Sequence, residues 1–219
     1  PAGIGSVAAE EGLGKGMTMS VEAGPMGGVL QGGLAFPASA NPEAIFCQTD
    51  MIDMVQGGML DMTFLGAAEI DDKGNVNVSK FGGRSNGPGG FIDISQNAKK
   101  VIFMGTFMVG DGEIELADGG LKIIKNSDKI KFVKKLQQIT FSGEYAVKNG
   151  QEVMFITERA VFNLTSEGLV LTEIAGGVDL QKDILDKMEF RPIISRDLKQ
   201  MDPRLFYPER MGLDTTPGK

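Results

Sequence analysis

The chain has 219 residues, with 22 Lys and Arg against 29 Asp and Glu and a formal net charge of −7, an acidic balance that argues against a general nucleic-acid binder. Histidine is absent and Cys47 is the one cysteine, which excludes an internal disulfide, Ser-His and Cys-His nucleophile pairs, a histidine general base and a Cys/His zinc site. The length suits one large α/β domain with a well-buried core, and no apolar run approaches bilayer length, so a soluble, cytoplasmic protein is expected, with Cys47 in its Ile45-Phe46-Cys47 setting read as a buried small hydrophobe.

Residues 2–12 read as a helix of small residues stopped at Gly12 and Gly14. Gly14-Lys15-Gly16 has no Ser or Thr directly after the lysine and precedes a strand, so it is not a phosphate loop. Met17 to Val21 is a short apolar strand that closes on Glu22 and runs at once into Ala23-Gly24-Pro25-Met26-Gly27-Gly28. A carboxylate held by a strand and followed by glycines is a common way to present a reactive side chain, since glycines allow sharp turns and close ligand approach. The plain alternative is an exposed glutamate before a turn.

A loop from about Ala23 to Asn41 leads to a helix predicted over Pro42–Gln56, where Ile45, Met51, Ile52 and Val55 recur at helical spacing and the methionines suit core packing. Gly57-Gly58 ends it. Leu60 to Ile70 reads as a buried strand that folds back on Val76-Asn77-Val78 through the turn Asp71-Asp72-Lys73-Gly74-Asn75. Asn75 is a turn residue, whereas Asn77 runs against β-propensity and is a candidate to reach a pocket. Of the other carboxylates, Glu10 and Glu11 read as solvated helix residues. Glu69, near a strand end, is the one rival to Glu22.

The glycine-rich run 82–90 precludes a regular element and feeds a helix over Phe91–Ala98 whose N-terminus meets Gly89-Gly90. Val101 to Val109 is a further buried strand. Beyond it the pattern turns to β, with Glu113–Leu116 and Leu121–Ile124 flanking Asp118-Gly119-Gly120, and strands at 130–133, 139–148, 153–157, 160–165 and 168–174. A helix over Asp179–Met188 precedes an extended tail rich in Pro and Arg. The alternation of helices and buried strands up to Val109 predicts an open α/β domain with a mainly parallel sheet, helices on both faces and an added β-hairpin region after residue 110.

Four motifs stand in order: E-x-G-x-x-G-G from Glu22, G-G-x-x-D-x-x-x-L-G-A from Gly57, G-N-V-N-V-S-K-F-G from Gly74 and G-x-G-G-F-I-D from Gly87. With the tail Met201-Asp202-Pro203-Arg204-Leu205-Phe206-Tyr207-Pro208-Glu209, they resemble the C-terminal, β-type half of the family I coenzyme A transferases, of the acetate, acetoacetate and propionate kind, over nearly the whole chain. Many relatives carry Ser-Glu-Asn-Gly at the nucleophile, where this chain has Val21-Glu22-Ala23-Gly24. The resemblance implies that residues 1–219 form a β-type domain lacking its N-terminal partner half. Relatives place a Gly-x-Gly-x-Pro turn just before this point, and the chain opens on Pro1.

The resemblance further implies that Glu22 is a nucleophile forming acyl-glutamyl anhydride and glutamyl-CoA thioester intermediates in ping-pong transfer. Gly89 and Gly90 would donate N–H groups to an oxyanion, and Gly24, Gly27, Gly28 and Asn77 would complete substrate and CoA binding. Coenzyme A enters as substrate, with no tightly bound cofactor and no metal. Its phosphates need local cations such as Lys80 and Arg84. The implied partners are an α-type half, an acyl-CoA and a free carboxylic acid, in an oligomer serving short-chain fatty acid or ketone body metabolism. Two other classes stay open: a sugar-phosphate isomerase on the same broad fold, and a non-catalytic module that binds CoA or a phosphometabolite.

Overall fold

A computed structural model describes residues 1–213. Its centre is a six-stranded sheet of β1 (Met62–Leu65), β2 (Lys100–Met104), β3 (Glu152–Ile156), β4 (Ala160–Thr165), β5 (Gly168–Ile174) and β6 (Ile193–Gln200). Spatial order follows chain order. β1, β2 and β3 run parallel, with Val101 of β2 opposite both Thr63 and Val153. β3 to β5 form an antiparallel meander, and β6 returns parallel to β5. Three of the five pairings are therefore parallel, and the sheet is the open, mainly parallel one expected.

Strands covered on both faces need unbroken apolar runs rather than alternation. Val101-Ile102-Phe103 and Val153-Met154-Phe155 supply them, and Val101, Phe103, Val153 and Phe155 are all buried. The six largest fully buried side chains are phenylalanines. Phe103 lies 5.1 Å from both Phe141 and Phe155, ring centre to ring centre. Phe132 lies 4.9 Å from Phe107 and 5.0 Å from Phe162. Each buried ring contributes about 1.5–3 kcal/mol by leaving water, and its pairings add further.

Four helices accompany the sheet: α1 (Ile4–Glu10), α2 (Gln48–Gln56), α3 (Phe91–Asn97) and α4 (Gly143–Lys148). α2 packs on α3, α3 on β1, and α4 on β3 and β4. None is long and apolar enough to cross a membrane among the described residues. The added hairpin is Glu113–Ala117 with Gly120–Lys125. It is docked through Leu121 N–H, which donates to the Gly176 carbonyl at 2.8 Å.

Several expected boundaries move, each for a non-local reason. The helix expected over Pro42–Gln56 occupies only Gln48–Gln56, because Ala44–Ile45 pairs antiparallel with Pro25–Met26. Cys47 then precedes the first turn of α2 and is exposed rather than buried, its Sγ 3.0 Å from Thr49 Oγ1. The run Leu60–Ile70 is two strands. β1 ends at Leu65, and Glu69–Ile70 turns away to pair with Val76–Asn77. Val101–Val109 likewise divides into β2 and Met108–Val109, the latter paired with Lys129–Ile130. Within the glycine-rich run, Arg84–Ser85 folds onto Lys80–Phe81 as a small hairpin.

The stretch 139–148, rich in β-branched and aromatic residues, is α4 from Gly143 onward. Ser142 Oγ accepts the Tyr145 N–H at 3.2 Å as an N-cap, and Asn75 Oδ1 accepts the Gly143 N–H at 2.9 Å. Ser142→Ala should lower stability by about 1 kcal/mol in urea unfolding. An unchanged midpoint would show that the Asn75 contact alone starts the helix. The helix expected over Asp179–Met188 is a π-turn over Leu180–Ile184 followed by a 3₁₀ turn over Leu185–Lys187. The tail expected to be merely extended contributes β6 to the sheet. Farther on, Met211 N–H donates to Glu11 Oε1 at 2.8 Å, tying the tail to α1.

Candidate active site

Glu22 sits at the tip of a tight turn rather than at a strand end. Gly24 N–H donates to the Val21 carbonyl at 2.9 Å, and Val21 N–H to the Pro25 carbonyl at 3.0 Å. Of the strand expected over 17–22 only Ser20 pairs, opposite Met26. Gly24 adopts φ +121°, and a Cβ there would overlap the Phe46 carbonyl oxygen. The side chain at the turn tip is half-buried. Among the described residues its carboxylate has no hydrogen-bond or ion-pair partner.

What it faces is Gly90, which caps α3. A Cβ placed on Gly90 would collide with a Glu22 carboxylate oxygen and lie 3.2 Å from both Glu22 Cδ and Ile52 Cδ1. The turn at residue 22 and the glycine loop thus meet, although far apart in sequence. Gly89 has φ +54° and open space where a side chain would stand. Gly90→Ala would push the carboxylate aside.

The other candidate positions are arranged differently. A Cβ on Gly27 would lie 2.7 Å from Glu43 Cγ, and one on Gly28 would strike the Ala40 and Asn41 carbonyls. Their vacant sides, like that of Gly24, are filled by the chain itself. Gly27 and Gly28 also border an open cleft of about 400 Å³ with Met17, Met19 and Val29, a cleft that Glu22 does not line. Asn77 is fully buried. Its Nδ2 donates to Glu69 Oε2 at 2.7 Å and to the Lys80 carbonyl at 2.6 Å, and its Oδ1 accepts the Ser79 and Lys80 N–H groups. With that capacity used, Asn77 builds the turn into the 80–85 hairpin.

Glu69 is tethered by Asn77 and by Gln137, whose backbone N–H and Nε2 donate at 3.3 and 3.4 Å. Glu69 is thus engaged within the fold, whereas Glu22 has no partner among the described residues. Lys80 and Arg84 are exposed on their hairpin and pair with no carboxylate among the described residues. Asn86 and Gly87 N–H groups donate to the Ser79 carbonyl at 2.8 and 3.2 Å, tying this basic hairpin to the loop that ends at Gly90.

A second polar cluster escapes the sequence reading. Arg159 is 2 % exposed. Its Nε donates to Glu158 Oε1 at 3.0 Å, and its Nη1 to Asn126 Oδ1 at 2.7 Å and the Asp183 carbonyl at 3.2 Å. Its guanidinium lies 5.4 Å from the centre of the Phe107 ring. Glu158 Oε2 accepts the Phe107 N–H at 2.7 Å. Nearby Lys131 is also buried. Burial pushes its ammonium below the usual lysine range, and the Glu158 charge opposes that shift. The available signal was a lysine inside the apolar run Ile130-Lys131-Phe132-Val133, and an Arg at a turn between two buried strands.

An open α/β domain that presents an unpartnered glutamate against a glycine-capped helix defines a carboxylate-centred site in a histidine-free chain. No family model matches the chain. It is 52 % identical over 96 % of its length to acetate CoA-transferase YdiF of Escherichia coli O157:H7, of which it spans 40 %. It is 46 % identical over its full length to caffeate CoA-transferase of Acetobacterium woodii, spanning 43 % of that protein. The crystal structure of YdiF from E. coli O157:H7, solved as a thioester complex with CoA, superposes with TM-score 0.91 at 50 % identity, covering 96 % of this chain and 40 % of that one. The chain belongs to the family I coenzyme A transferases and corresponds to their β-type part; it spans about 40 % of the length of these two curated relatives.

Proposed function

We propose that this chain is the β-type domain of an acyl-CoA:carboxylate CoA-transferase whose nucleophile is Glu22. The observation that carries the proposal is the Glu22 carboxylate, without a partner among the described residues and set against the side-chain-free face of Gly90. A carboxylate is ionised at neutral pH and needs no base, which suits a chain without histidine. Its oxygen attacks the thioester carbonyl, the carbon–sulfur bond breaks, and the CoA thiolate leaves, giving an acyl-glutamyl anhydride. The thiolate then attacks the glutamyl carbonyl and expels the donor's carboxylate, giving a glutamyl-CoA thioester. An acceptor carboxylate repeats both steps in reverse, so the thioester bond is conserved throughout.

Each addition passes through an oxyanion. We assign the backbone N–H groups of Gly89 and Gly90 as its donors, and one such donor is typically worth about 3–4 kcal/mol in the transition state. Exposed Lys80 and Arg84, on the hairpin tied to this loop, supply positive charge for the CoA phosphates in an otherwise acidic chain. An α-type half completes the protein. The acyl group is a short-chain one, and the setting is cytoplasmic short-chain acid or ketone body metabolism.

The test uses the full protein that contains both halves. Incubation with an acyl-CoA followed by borohydride or hydroxylamine should leave a mark on the peptide containing Glu22. A mark on Glu69 would move the nucleophile, and transfer without any marked carboxylate would end the covalent mechanism. Gly90→Ala should lower kcat by about 10²-fold or more by displacing the Glu22 carboxylate, with the unfolding midpoint little changed. Retention of wild-type kcat would remove Gly90 from the site.

A further inference from the structure

Lys131 is 6 % exposed, yet among the described residues its ammonium makes no hydrogen bond and no ion pair. The backbone on either side is fixed. Ile70 N–H donates to the Lys131 carbonyl at 2.9 Å, and Val133 N–H to the Ile70 carbonyl at 2.8 Å. The ammonium lies 3.1 Å from the point where a Cβ on Gly105 would stand, and no other atom comes within 4 Å of that point. Gly105 directly follows β2, and Gly66 directly follows the adjacent parallel strand β1. A Cβ on Gly66 would likewise meet nothing within 4 Å. Two neighbouring parallel strands therefore end in glycines, and the one after β2 lies beside the Lys131 ammonium. The carboxyl ends of parallel strands are where open α/β sheets take their ligands.

Glu158, the acidic neighbour of Lys131, does not satisfy it. Its two oxygens are already held by Arg159 Nε and the Phe107 N–H. Glu158 also borders a cavity of about 80 Å³ together with Arg159 and Thr106, the residue after Gly105. The stem of Lys131 is buried while its unpaired ammonium still reaches solvent at this edge, where a carboxylate can meet it. α3 packs on β1 and its last turn leads into the start of β2 at Lys100, so Gly90 at its first turn lies toward the carboxyl ends of these strands, as Gly66 and Gly105 do.

We propose that Lys131 binds the carboxylate of a short-chain carboxylic acid at the carboxyl ends of β1 and β2, and so sets the affinity for the acid that enters the exchange. The inference rests on the transferase reading above, and its chemistry follows from it. An anionic acid must be drawn into a site built around an anionic glutamate, and Lys131 is an unpaired cation able to do so. Gly66 and Gly105 leave room for the acid because neither carries a side chain.

The experiment has two arms, both on the full protein. In the first, acetate is titrated into protein carrying ε-¹³C-lysine, and the Lys131 resonance, identified by its loss in Lys131→Met, should move saturably. In the second, Lys131→Met should raise KM for acetate about tenfold or more, with KM for the acyl-CoA and formation of the glutamyl thioester retained. Lys131→Arg should recover part of the acetate affinity. An unmoved Lys131 resonance, an unchanged acetate KM, or equal loss of both half-reactions in a folded variant would overturn the proposal. If the wild-type protein forms no glutamyl thioester, the transferase mechanism fails, and the resonance titration still decides whether Lys131 holds a carboxylate.

Discussion

Glu22→Gln in the full protein should lower CoA transfer by more than about 10³-fold while leaving the urea midpoint close to that of the wild type. The substitution keeps the length and shape of the side chain but replaces an anionic oxygen nucleophile with a neutral amide. Little stability should be lost, because the carboxylate makes no internal hydrogen bond or ion pair among the described residues. Removing a charge from beside Gly90 deprives no partner. Steady-state transfer from acetyl-CoA to a second acid, read alongside urea unfolding, separates the two effects. The reverse pattern, a lower midpoint with activity per folded molecule intact, would make Glu22 a turn residue and nothing more.

Arg159→Met should destabilise the fold by about 3–5 kcal/mol, the usual cost of removing one partner from a buried ion pair. Its guanidinium satisfies Glu158, Asn126 and the Asp183 carbonyl at once and packs over Phe107. Methionine fills much of the volume, so the loss reports the polar network rather than a cavity. The double variant Arg159→Met with Glu158→Gln should recover part of the stability, because the stranded charge is gone. A loss below about 1 kcal/mol in the single variant would mean that water replaces the guanidinium at little cost.

Legibility in the sequence tracked how local the determining contacts are. β4 and β5 match their expected bounds because apolar residues run on either side of a tight turn at Ser166-Glu167. α3 was marked by the glycines before it. The stretch 139–148 misled because Tyr145, Val147 and the apolar residues before them favour a strand, while the contacts that start α4 come from Asn75 and Gln96, distant in the chain. The expected strand at 17–22 gave way to the turn once Gly24 packed on Phe46. For the site, the glycines around Glu22 drew attention to the carboxylate, but its contact with Gly90 belongs to the tertiary fold. Asn77 was noticed as an unusual strand residue, and its burial with every hydrogen bond internal could not be seen from spacing. Arg159, Glu158 and Lys131 lie apart in sequence and converge only after the strands close.

β6 has a consequence for how copies of this domain can come together. It is one of the two edge strands of the sheet and offers a row of backbone donors and acceptors to any passing chain. Arg196, Asp197 and Lys199 stand exposed along it, with Lys199 and Asp197 3.4 Å apart. A strand added at this edge would crowd those charges and strip water from them. At this edge fibre-like growth by sheet extension is thereby disfavoured, and a partner that approaches β6 meets charged side chains before it meets the backbone.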